Sequence, residues 1–265
     1  MDRTSRKAAG RRHIIGLLPA AGRATRLGPL SCSKEVFPIG TYVAADGSGP
    51  HPKAVGHYLL EKMRRAGIAE AFIILREGKW DIPAYFKDGA MLDMRLGYLL
   101  VTVPWGAPYT LDQAYSFVRE NLVALGFPDI LFSPDDGYER IIAHQAQSGA
   151  DVVLGLFPAD NPSTMDAVDV NDNGRVTRIL PKPTHTTLRQ TWGIAVWAPS
   201  FTEFLHDYLK RRPIPTNDNT ELFVGDVIQA GIDSGLGVEG IQVSDKPFVD
   251  IGIPENLRGV LRDDP

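Results

Sequence analysis

The chain has 265 residues, 43% of them hydrophobic and 23% charged, which is the composition of an ordinary globular protein with a full core. The formal net charge of −4 argues against a general nucleic-acid binder, because such proteins carry a basic surface. A single cysteine, Cys32, excludes an internal disulfide and a cysteine-rich zinc site.

The first half of the chain alternates strand and helix signals. Residues 1–12 are basic and polar and predict a flexible tail. Short continuous apolar runs predict buried strands, whereas apolar residues three and four apart predict helices. Thr110, as an N-cap, opens a predicted helix that runs to Gly126. The predicted elements are a strand at 13–20, a helix at 54–68, a strand at 70–76, a helix at 110–126, a strand at 129–134, a helix at 138–149 and a strand at 150–158.

The second half is richer in strand signals. Residues 166–180 contain two β-type runs around Asn-Asp-Asn-Gly, which predicts a hairpin with a type I′ turn. The alternation of strands and helices predicts an α/β fold, a Rossmann-like and mostly parallel sheet with helices on both faces, plus a smaller β-rich lobe. The other predicted elements here are a strand at 193–199, a helix at 200–212 capped by Ser200, a helix at 221–235, and a strand, a turn and a last helix within 238–261.

The segment 16–40 places glycines, arginines and a lysine directly after the first predicted strand, which is typical of a phosphate-binding loop. Two common motifs fail there. A Walker A loop read from Gly28 needs a glycine where Ser33 stands and a Ser or Thr where Glu35 stands. A dinucleotide loop read from Gly22 lacks two of its three glycines. The segment is therefore a different kind of phosphate loop, or none.

Between a strand and a helix, the letters PAAGRATRL and SKEVFPI resemble the signature loop of the sugar-1-phosphate nucleotidylyltransferases. In that family the loop has the motif A-G-G-x-G-T-R-L, followed by Pro-Lys and then by a hydrophobic residue and a proline. The spelling is closest to the UTP–glucose-1-phosphate uridylyltransferase branch, and the resemblance covers the chain from about Ile14 to Leu261. It implies the nucleotide-diphospho-sugar transferase fold. It also implies a reaction in which an NTP and a sugar 1-phosphate give an NDP-sugar and pyrophosphate.

Within the loop, the resemblance assigns the triphosphate to cationic side chains and backbone amides. Arg26 would span two phosphates with its forked donors, and Lys34 would act as a point charge near the α-phosphate. In the family pattern, Ala24 replaces a glycine and Ser33 replaces a proline; an alanine strains such a loop only if its φ is positive. The nucleotide itself would lie against Ala20, Ala21, Gly22, Arg23 and Thr25.

The family's Mg²⁺ requires hard oxygen ligands, and the resemblance assigns it to Asp135 and Asp250. Asp135 follows the predicted strand at 129–134, and ligands of open α/β sheets bind at the carboxyl ends of strands. Asp250 stands in FVDIGIPENL, which matches the closing motif of the family. Each aspartate alone is more typical of a turn or a helix start. Their joint occurrence in the family's order favours a metal site.

Two further residues match binding positions of the family. Lys182 in ILPKPT matches the lysine that neutralises the sugar phosphate. Gln113 in TLDQAYSF stands where thymidylyl- and uridylyltransferases read the pyrimidine edge, and an amide can satisfy both N3–H and O4 of uracil or thymine. An exposed helix glutamine is the alternative interpretation of Gln113.

The sugar would contact Asp166, Trp192 and Gly193, and here the chain departs from the family. Asp166 replaces a glycine, Pro181 replaces the acid before Lys-Pro, and Trp192 precedes the late glycine. These changes predict an altered or less polar sugar-like substrate.

We therefore expect a Mg²⁺-dependent nucleotidylyltransferase that joins dTTP or UTP to a sugar 1-phosphate or cyclitol-like phosphate by in-line attack on the α-phosphorus. The alternative is a non-catalytic homologue that binds nucleotide or NDP-sugar as a regulator or sensor. A glycosyltransferase is disfavoured, because no D-x-D metal site follows the third predicted strand.

The expected organisation is one domain over residues 13–265, with 13–158 mainly nucleotide-binding and 159–265 mainly sugar-phosphate-binding. No stretch approaches the roughly 18 apolar residues of a membrane span. We therefore expect a cytoplasmic protein without nucleic-acid or membrane partners. The sequence leaves open whether it forms a homo-oligomer.

Overall fold

The computed structural model describes residues 13–262 except 45, 46, 48, 103, 104 and 213–220. The tail predicted at 1–12 lies outside the described residues. The strands are β1 (Ile14–Pro19), β2 (Pro38–Val43), β3 (Pro50–Ala54), β4 (Glu70–Leu75), β5 (Arg95–Leu100), β6 (Leu122–Gly126), β7 (Ile130–Leu131), β8 (Val152–Pro158), β9 (Asp166–Val170), β10 (Val176–Pro181), β11 (Gln190–Trp197), β12 (Val238–Gln242) and β13 (Val249–Asp250). The helices are α1 (Val55–Arg65), α2 (Asp81–Phe86), α3 (Ala107–Asp112), α4 (Tyr115–Val118), α5 (Gly137–Ser148), α6 (Pro199–Lys210), α7 (Val224–Asp233) and α8 (Pro254–Arg262).

The central sheet is mixed but mostly parallel. Strand β1 pairs in parallel with β4 and with β6, and β4 pairs in parallel with β5. Strand β11 runs antiparallel between β6 and β8, and β12 adds to β8 in parallel. Because β1 and β6 are parallel neighbours, the segments that follow them emerge side by side at one edge of the sheet.

Helices cover both faces of this sheet, as predicted. Leu17 and Leu18 of β1 are both buried, but they belong to two different hydrophobic clusters, one on each face. The cluster of Leu18 contains side chains of α1 and α5, and the cluster of Leu17 contains side chains of α3, α6 and α7. Strands covered on both faces have continuously apolar sequences. This burial is why the sequence predicts β1, β4 and β8 within a few residues.

The helix predicted at 110–126 is wrong in its second half. Helix α3 ends at Asp112, the one-turn α4 ends at Val118, and the five residues of β6 follow in the middle of the sheet, all buried. The letters Leu-Val-Ala-Leu-Gly fit a helix face and a central strand equally well, so periodicity does not separate the two. The strand predicted at 129–134 is reduced to β7, which pairs with β13 in a separate small sheet.

The hairpin predicted at 166–180 is confirmed as β9 and β10. Its turn is not type I′, which requires positive φ at both central residues; within 171–174 only Gly174 has one, at 79°. The hairpin joins the main sheet through the pairing of β9 with β11. It forms the smaller β-rich lobe.

Several predicted helix starts are wrong. Thr110 does not cap α3, which begins at Ala107, and its hydroxyl donates to the Gly106 carbonyl at 3.3 Å. The Ser200 hydroxyl donates to Asp151 instead of capping α6, which begins at Pro199. Helix α7 begins at Val224, where the Asp226 carboxylate accepts the Phe223 N–H at 2.8 Å. Among the described residues, no helix is long and apolar enough to cross a membrane.

Candidate active site

Two parallel strands deliver the first half of the site. The loop at 20–28 follows β1, and Asp129 comes three residues after β6. Since β1 and β6 are adjacent, Arg26 of the loop and Asp129 reach the same region, at the carboxyl ends where ligands of such sheets bind. Asp250, at the end of β13, is added by the pairing of β13 with β7, which sets it opposite Ile130.

Arg26, Lys34, Asp129 and Asp250 converge at this edge. The Arg26 Nη2 lies 3.2 Å from the Asp250 Oδ2, and the Lys34 Nζ donates to the Asp129 carboxylate. Gly252 lies among them: a Cβ there would be 2.8 Å from the Asp250 Oδ1, 3.2 Å from the Arg26 Nη2 and 3.3 Å from the Lys34 Nζ. A side chain at this position would push the ends of these three side chains aside.

The charges of this group shift the pKa values of Asp250 and Lys34. Burial raises the pKa of the Asp250 carboxyl, and the nearby Asp129 raises it further, while Lys34 and Arg26 act in the opposite direction. Burial acts to lower the pKa of the Lys34 amine, but the surrounding carboxylates, Asp129 foremost, outweigh it and the pKa is raised. Lys34 therefore keeps its positive charge beside two carboxylates that repel each other.

The chain around Lys34 is anchored on both sides. The Ser33 amide and hydroxyl donate to the Asp81 carboxylate at 2.5 and 2.7 Å. The next residue after Lys34, Glu35, is buried and accepts from the Lys79 Nζ. Lys79 lies between β4 and α2, and Asp81 is the first residue of α2; the sequence suggested no function for either.

The loop at 20–28 holds Ala24 in the left-handed region, at φ 52° and ψ 32°. Non-glycine residues there are strained by about 1–2 kcal/mol, because Cβ approaches the following carbonyl oxygen. The substitution of the family glycine therefore strains this loop. Ala20 and Ala21 are buried, and the Ala20 amide extends the pairing with β4 by donating to the Ile74 carbonyl at 2.8 Å. The predicted nucleotide contacts Gly22, Arg23 and Thr25 are exposed beyond it.

A cleft of about 250 Å³ opens beside this group. We name its two ends the loop end, with Arg26, Asp129 and Asp250, and the hairpin end, with Asp166, Lys182 and Trp192. Other side chains that line it include Phe127, Met165, Thr191, Glu221, Phe223 and Phe248. The cleft thus joins residues that stand far apart in the sequence.

At the hairpin end, Asp166 is held by a neutral donor. The Trp192 Nε1 donates to its Oδ2 at 3.1 Å, and Gly225 lies so close that a Cβ there would be 2.3 Å from the same oxygen. Burial raises the pKa of Asp166 to about 6, although Trp192, Lys182 and the Gly225 amide oppose the shift. The Lys182 Nζ lies 3.7 Å from the centre of the Phe223 ring. The backbone φ of Lys182 is 43°, in the left-handed region.

Two predicted binding residues lie apart from the cleft lining. Gly193 is buried within β11, where a Cβ would be 3.0 Å from Phe248 and 3.2 Å from Phe157. A side chain there would crowd both rings, so packing alone explains the glycine. Gln113 is exposed at the end of α3, and its Nε2 lies 3.4 Å from the Tyr109 carbonyl oxygen.

The structure does not bring Asp135 to Asp250. Asp135 is exposed and forms an ion pair with Lys62 of α1. The two lie in a surface hollow that also contains Lys53 and Arg65. The carboxylate beside Asp250 is that of Asp129, so the pairing of Asp135 with Asp250 is corrected. The error follows from β6: once residues 122–126 are taken for helix, the nearest strand end shifts past Asp129 to residue 134. An apolar run that ends in Gly126 and is followed by a carboxylate was the available signal.

The fold and this site define a class of protein, and sequence comparison agrees. The model of the family described as Nucleotidyl transferase matches residues 15–264, so the chain belongs to that family. It is similar to the low-salt glycan biosynthesis nucleotidyltransferase Agl11 of Haloferax volcanii, at 23% identity over 91% of this chain and 63% of the relative. It is similar to the glucose-1-phosphate thymidylyltransferase of Streptomyces griseus, at 24% identity over 86% of this chain and 60% of the relative. The chain thus spans about three fifths of the length of these relatives.

Solved structures agree on the fold. A protein of Bacillus anthracis described as a glucose-1-phosphate thymidylyltransferase, in complex with sucrose, superposes with a TM-score of 0.79 at 17% identity, over 95% of both chains. A UDP-glucose pyrophosphorylase in complex with UDP-glucose superposes with a TM-score of 0.76 at 16% identity, over 94% of this chain and 97% of the other. The predicted nucleotide-diphospho-sugar transferase fold is confirmed.

Proposed function

We propose that this chain transfers a nucleotidyl group from an NTP to a sugar 1-phosphate, with release of pyrophosphate. The observation that carries the proposal is the convergence of Arg26 and Lys34 on Asp129 and Asp250 at one end of a cleft that has Lys182 at the other. Two polyanions must meet in this reaction, and cations on both sides of the meeting point offset their repulsion. A binding protein for a neutral ligand would have no use for this arrangement.

Each cation has a distinct task in the proposed reaction. Lys34 holds its charge beside the α-phosphate, where negative charge accumulates as the sugar phosphate oxygen attacks. Arg26 binds two phosphates of the leaving pyrophosphate with its forked donors. Lys182 neutralises the attacking sugar phosphate. The phosphoryl oxygen of the acceptor forms the new bond to the α-phosphorus, and the bond to the β-phosphate bridging oxygen breaks with its electron pair on pyrophosphate.

Asp129 and Asp250 would hold a magnesium ion. Their oxygens are hard donors, they lie in electrostatic contact, and both face the cleft. Within the described residues, no group of three or more His, Cys, Asp or Glu side chains surrounds a common centre, so phosphates and water would complete the coordination. The ion, when bound, would neutralise the charge on the α-phosphate.

The base and the acceptor are the finer part of the proposal. Gln113 favours a pyrimidine, dTTP or UTP, because one amide satisfies both the donor and the acceptor of its edge. Asp166 and Trp192 occupy the hairpin end, where the family has smaller or differently charged residues. They favour an altered sugar phosphate, or a cyclitol-like phosphate, over glucose 1-phosphate.

The test is pyrophosphate release measured with each NTP, Mg²⁺ and a panel of sugar and cyclitol phosphates. We expect turnover with UTP or dTTP and an acceptor other than glucose 1-phosphate. Preference for glucose 1-phosphate would contradict only the proposed acceptor. Tight nucleotide binding without turnover on any acceptor would refute the proposed catalysis and favour a sensor.

A further inference from the structure

Lys79 and Glu35 form a buried ion pair beneath Lys34. Glu35 is 2% exposed and Lys79 is 4% exposed. The Lys79 Nζ donates to both carboxylate oxygens of Glu35, at 2.6 and 2.7 Å. Neither residue lines the cleft. Any effect of the pair on the reaction must therefore pass through a neighbour.

Stability is a weak explanation for this pair. Burial raises the pKa of the Glu35 carboxyl and lowers the pKa of the Lys79 amine, so for both residues it disfavours the charged form. Replacement of buried ion pairs by apolar side chains is often neutral or stabilising. A pair kept in spite of this cost is better explained by what it positions.

Glu35 has two lysines within electrostatic range. Lys79 and, more weakly, Lys34 both favour its ionised form. Removing one partner of a buried pair leaves a charge that costs several kcal/mol, so such a carboxylate attracts any cation that can reach it. Because Lys79 engages both Glu35 oxygens, Lys34 is left to Asp129 on the cleft side.

The surrounding frame limits what else the turn at 34–36 can do. A Cβ at Gly56 of α1 would be 3.0 Å from the Glu35 carbonyl oxygen, so helix and turn are in close contact. Asp81 holds Ser33 on the other side of Lys34. With the backbone fixed on both sides, the direction of the Lys34 side chain is the variable that remains.

We propose that Lys79 is a positioning residue: it occupies Glu35, so that Lys34 stays directed at Asp129 and the cleft. The consequence for catalysis rests on the proposed function, in which Lys34 meets the triphosphate. The consequence for the position of Lys34 rests on the contacts alone.

The kinetic test compares K79M, E35Q/K79M and K62M. K79M leaves Glu35 without its partner, Lys34 turns to it, and we expect kcat to fall by about 100-fold with little change in the KM for the acceptor. E35Q/K79M removes the competing charge and should regain most of the turnover. K62M is the matched control, since Lys62 is also buried, at 8% exposure, and pairs with Asp135 outside the cleft. It should keep the wild-type kcat.

A second readout needs no turnover. Acetic anhydride modifies lysine amines at rates that peptide mass spectrometry can follow, and we expect slower modification of Lys34 in K79M and the wild-type rate in E35Q/K79M. If K79M does not fold, K79Q replaces it, because its neutral amide suits a polar buried site but leaves the charge of Glu35 uncompensated.

An unchanged modification rate of Lys34 in K79M or K79Q would overturn the inference. Equal losses of kcat in K79M and E35Q/K79M would also overturn it, because Lys79 would then act through stability alone. If the wild-type protein turns over no acceptor, the proposed function fails, and the modification rates still decide the position of Lys34.

Discussion

The two ends of the cleft hold their carboxylates in different ways. At the loop end, Asp129 and Asp250 each contact a cation, Lys34 and Arg26 respectively. At the hairpin end, the indole N–H of Trp192 holds Asp166, and Gly225 lies close to the same carboxylate. Ion pairs can exchange partners when a polyanion and a cation arrive, whereas a carboxylate held by neutral donors keeps its place. The loop end is therefore suited to binding and reacting phosphate groups. The hairpin end is suited to recognising the shape of the acceptor.

The largest effect should come from the carboxylates of the loop end. D129N and D250N each remove a proposed metal ligand, and we expect kcat to fall by about 10²–10³-fold, as for loss of one group that stabilises the transition state. D135N should keep the wild-type kcat, because Asp135 lies with Lys62 on the surface. Steady-state pyrophosphate release measures all three. An inactive D135N beside an active D129N would restore the assignment made from sequence.

At the hairpin end, the pH dependence of stability tests whether Asp166 is held as described. Its pKa is about 6 in the folded state and near 3.8 when unfolded, so between these values the folded state binds more protons. Stability contributed by this group therefore falls as pH rises through that window, by up to about 3 kcal/mol at pH 7.

The asparagine variant D166N should lack this loss, so its advantage in free energy of unfolding grows from pH 4 to pH 7. Urea unfolding at both pH values gives the difference. D172N, at an exposed position of the same hairpin, should follow the wild-type protein at both. A D166N variant that parallels the wild type across the window would mean that Asp166 is solvated.

A change at Lys182, at the hairpin end, should affect binding of the acceptor and not the chemical step. K182M removes the cation proposed for the acceptor phosphate, and we expect its KM for the acceptor to rise by about 10- to 100-fold, with the KM for the NTP unchanged. K182R keeps the charge and should recover part of the loss. A rise confined to the KM for the NTP would exchange the roles of the two ends.

The smallest effect concerns the strain in the loop itself. A24G relieves a left-handed alanine, and we expect it to raise the free energy of unfolding by about 1 kcal/mol or less, since glycine also gains unfolded-state entropy. G28A should lower the free energy of unfolding, because the φ of Gly28 is 72° and an added Cβ, although it would meet no other atom, strains such a backbone. Thermal unfolding of the pair compares the two signs, and a destabilised A24G would refute the left-handed geometry.

Sequence motifs predicted three residues of the loop end but not the residues that contact them. Arg26, Lys34 and Asp250 stand in local motifs, and the structure brings all three together. Asp129 was missed because β6 is apolar on both faces and its five residues fit a helix equally well. Lys79 and Asp81 were missed because nothing in their own neighbourhood marks them; they matter only through Glu35 and Ser33.

The sequence by itself determined the alternation of strands and helices, the cationic loop after β1 and the hairpin at 166–180, because burial and turn chemistry act within a few residues. Tertiary structure decided which aspartate meets Asp250, the sign of φ at Ala24 and the partner of Glu35. Lys34 and Asp129 are 95 residues apart, and Glu35 and Lys79 are 44 apart. Such contacts depend on which strands become neighbours and in what register, and that is settled by the packing of the whole sheet.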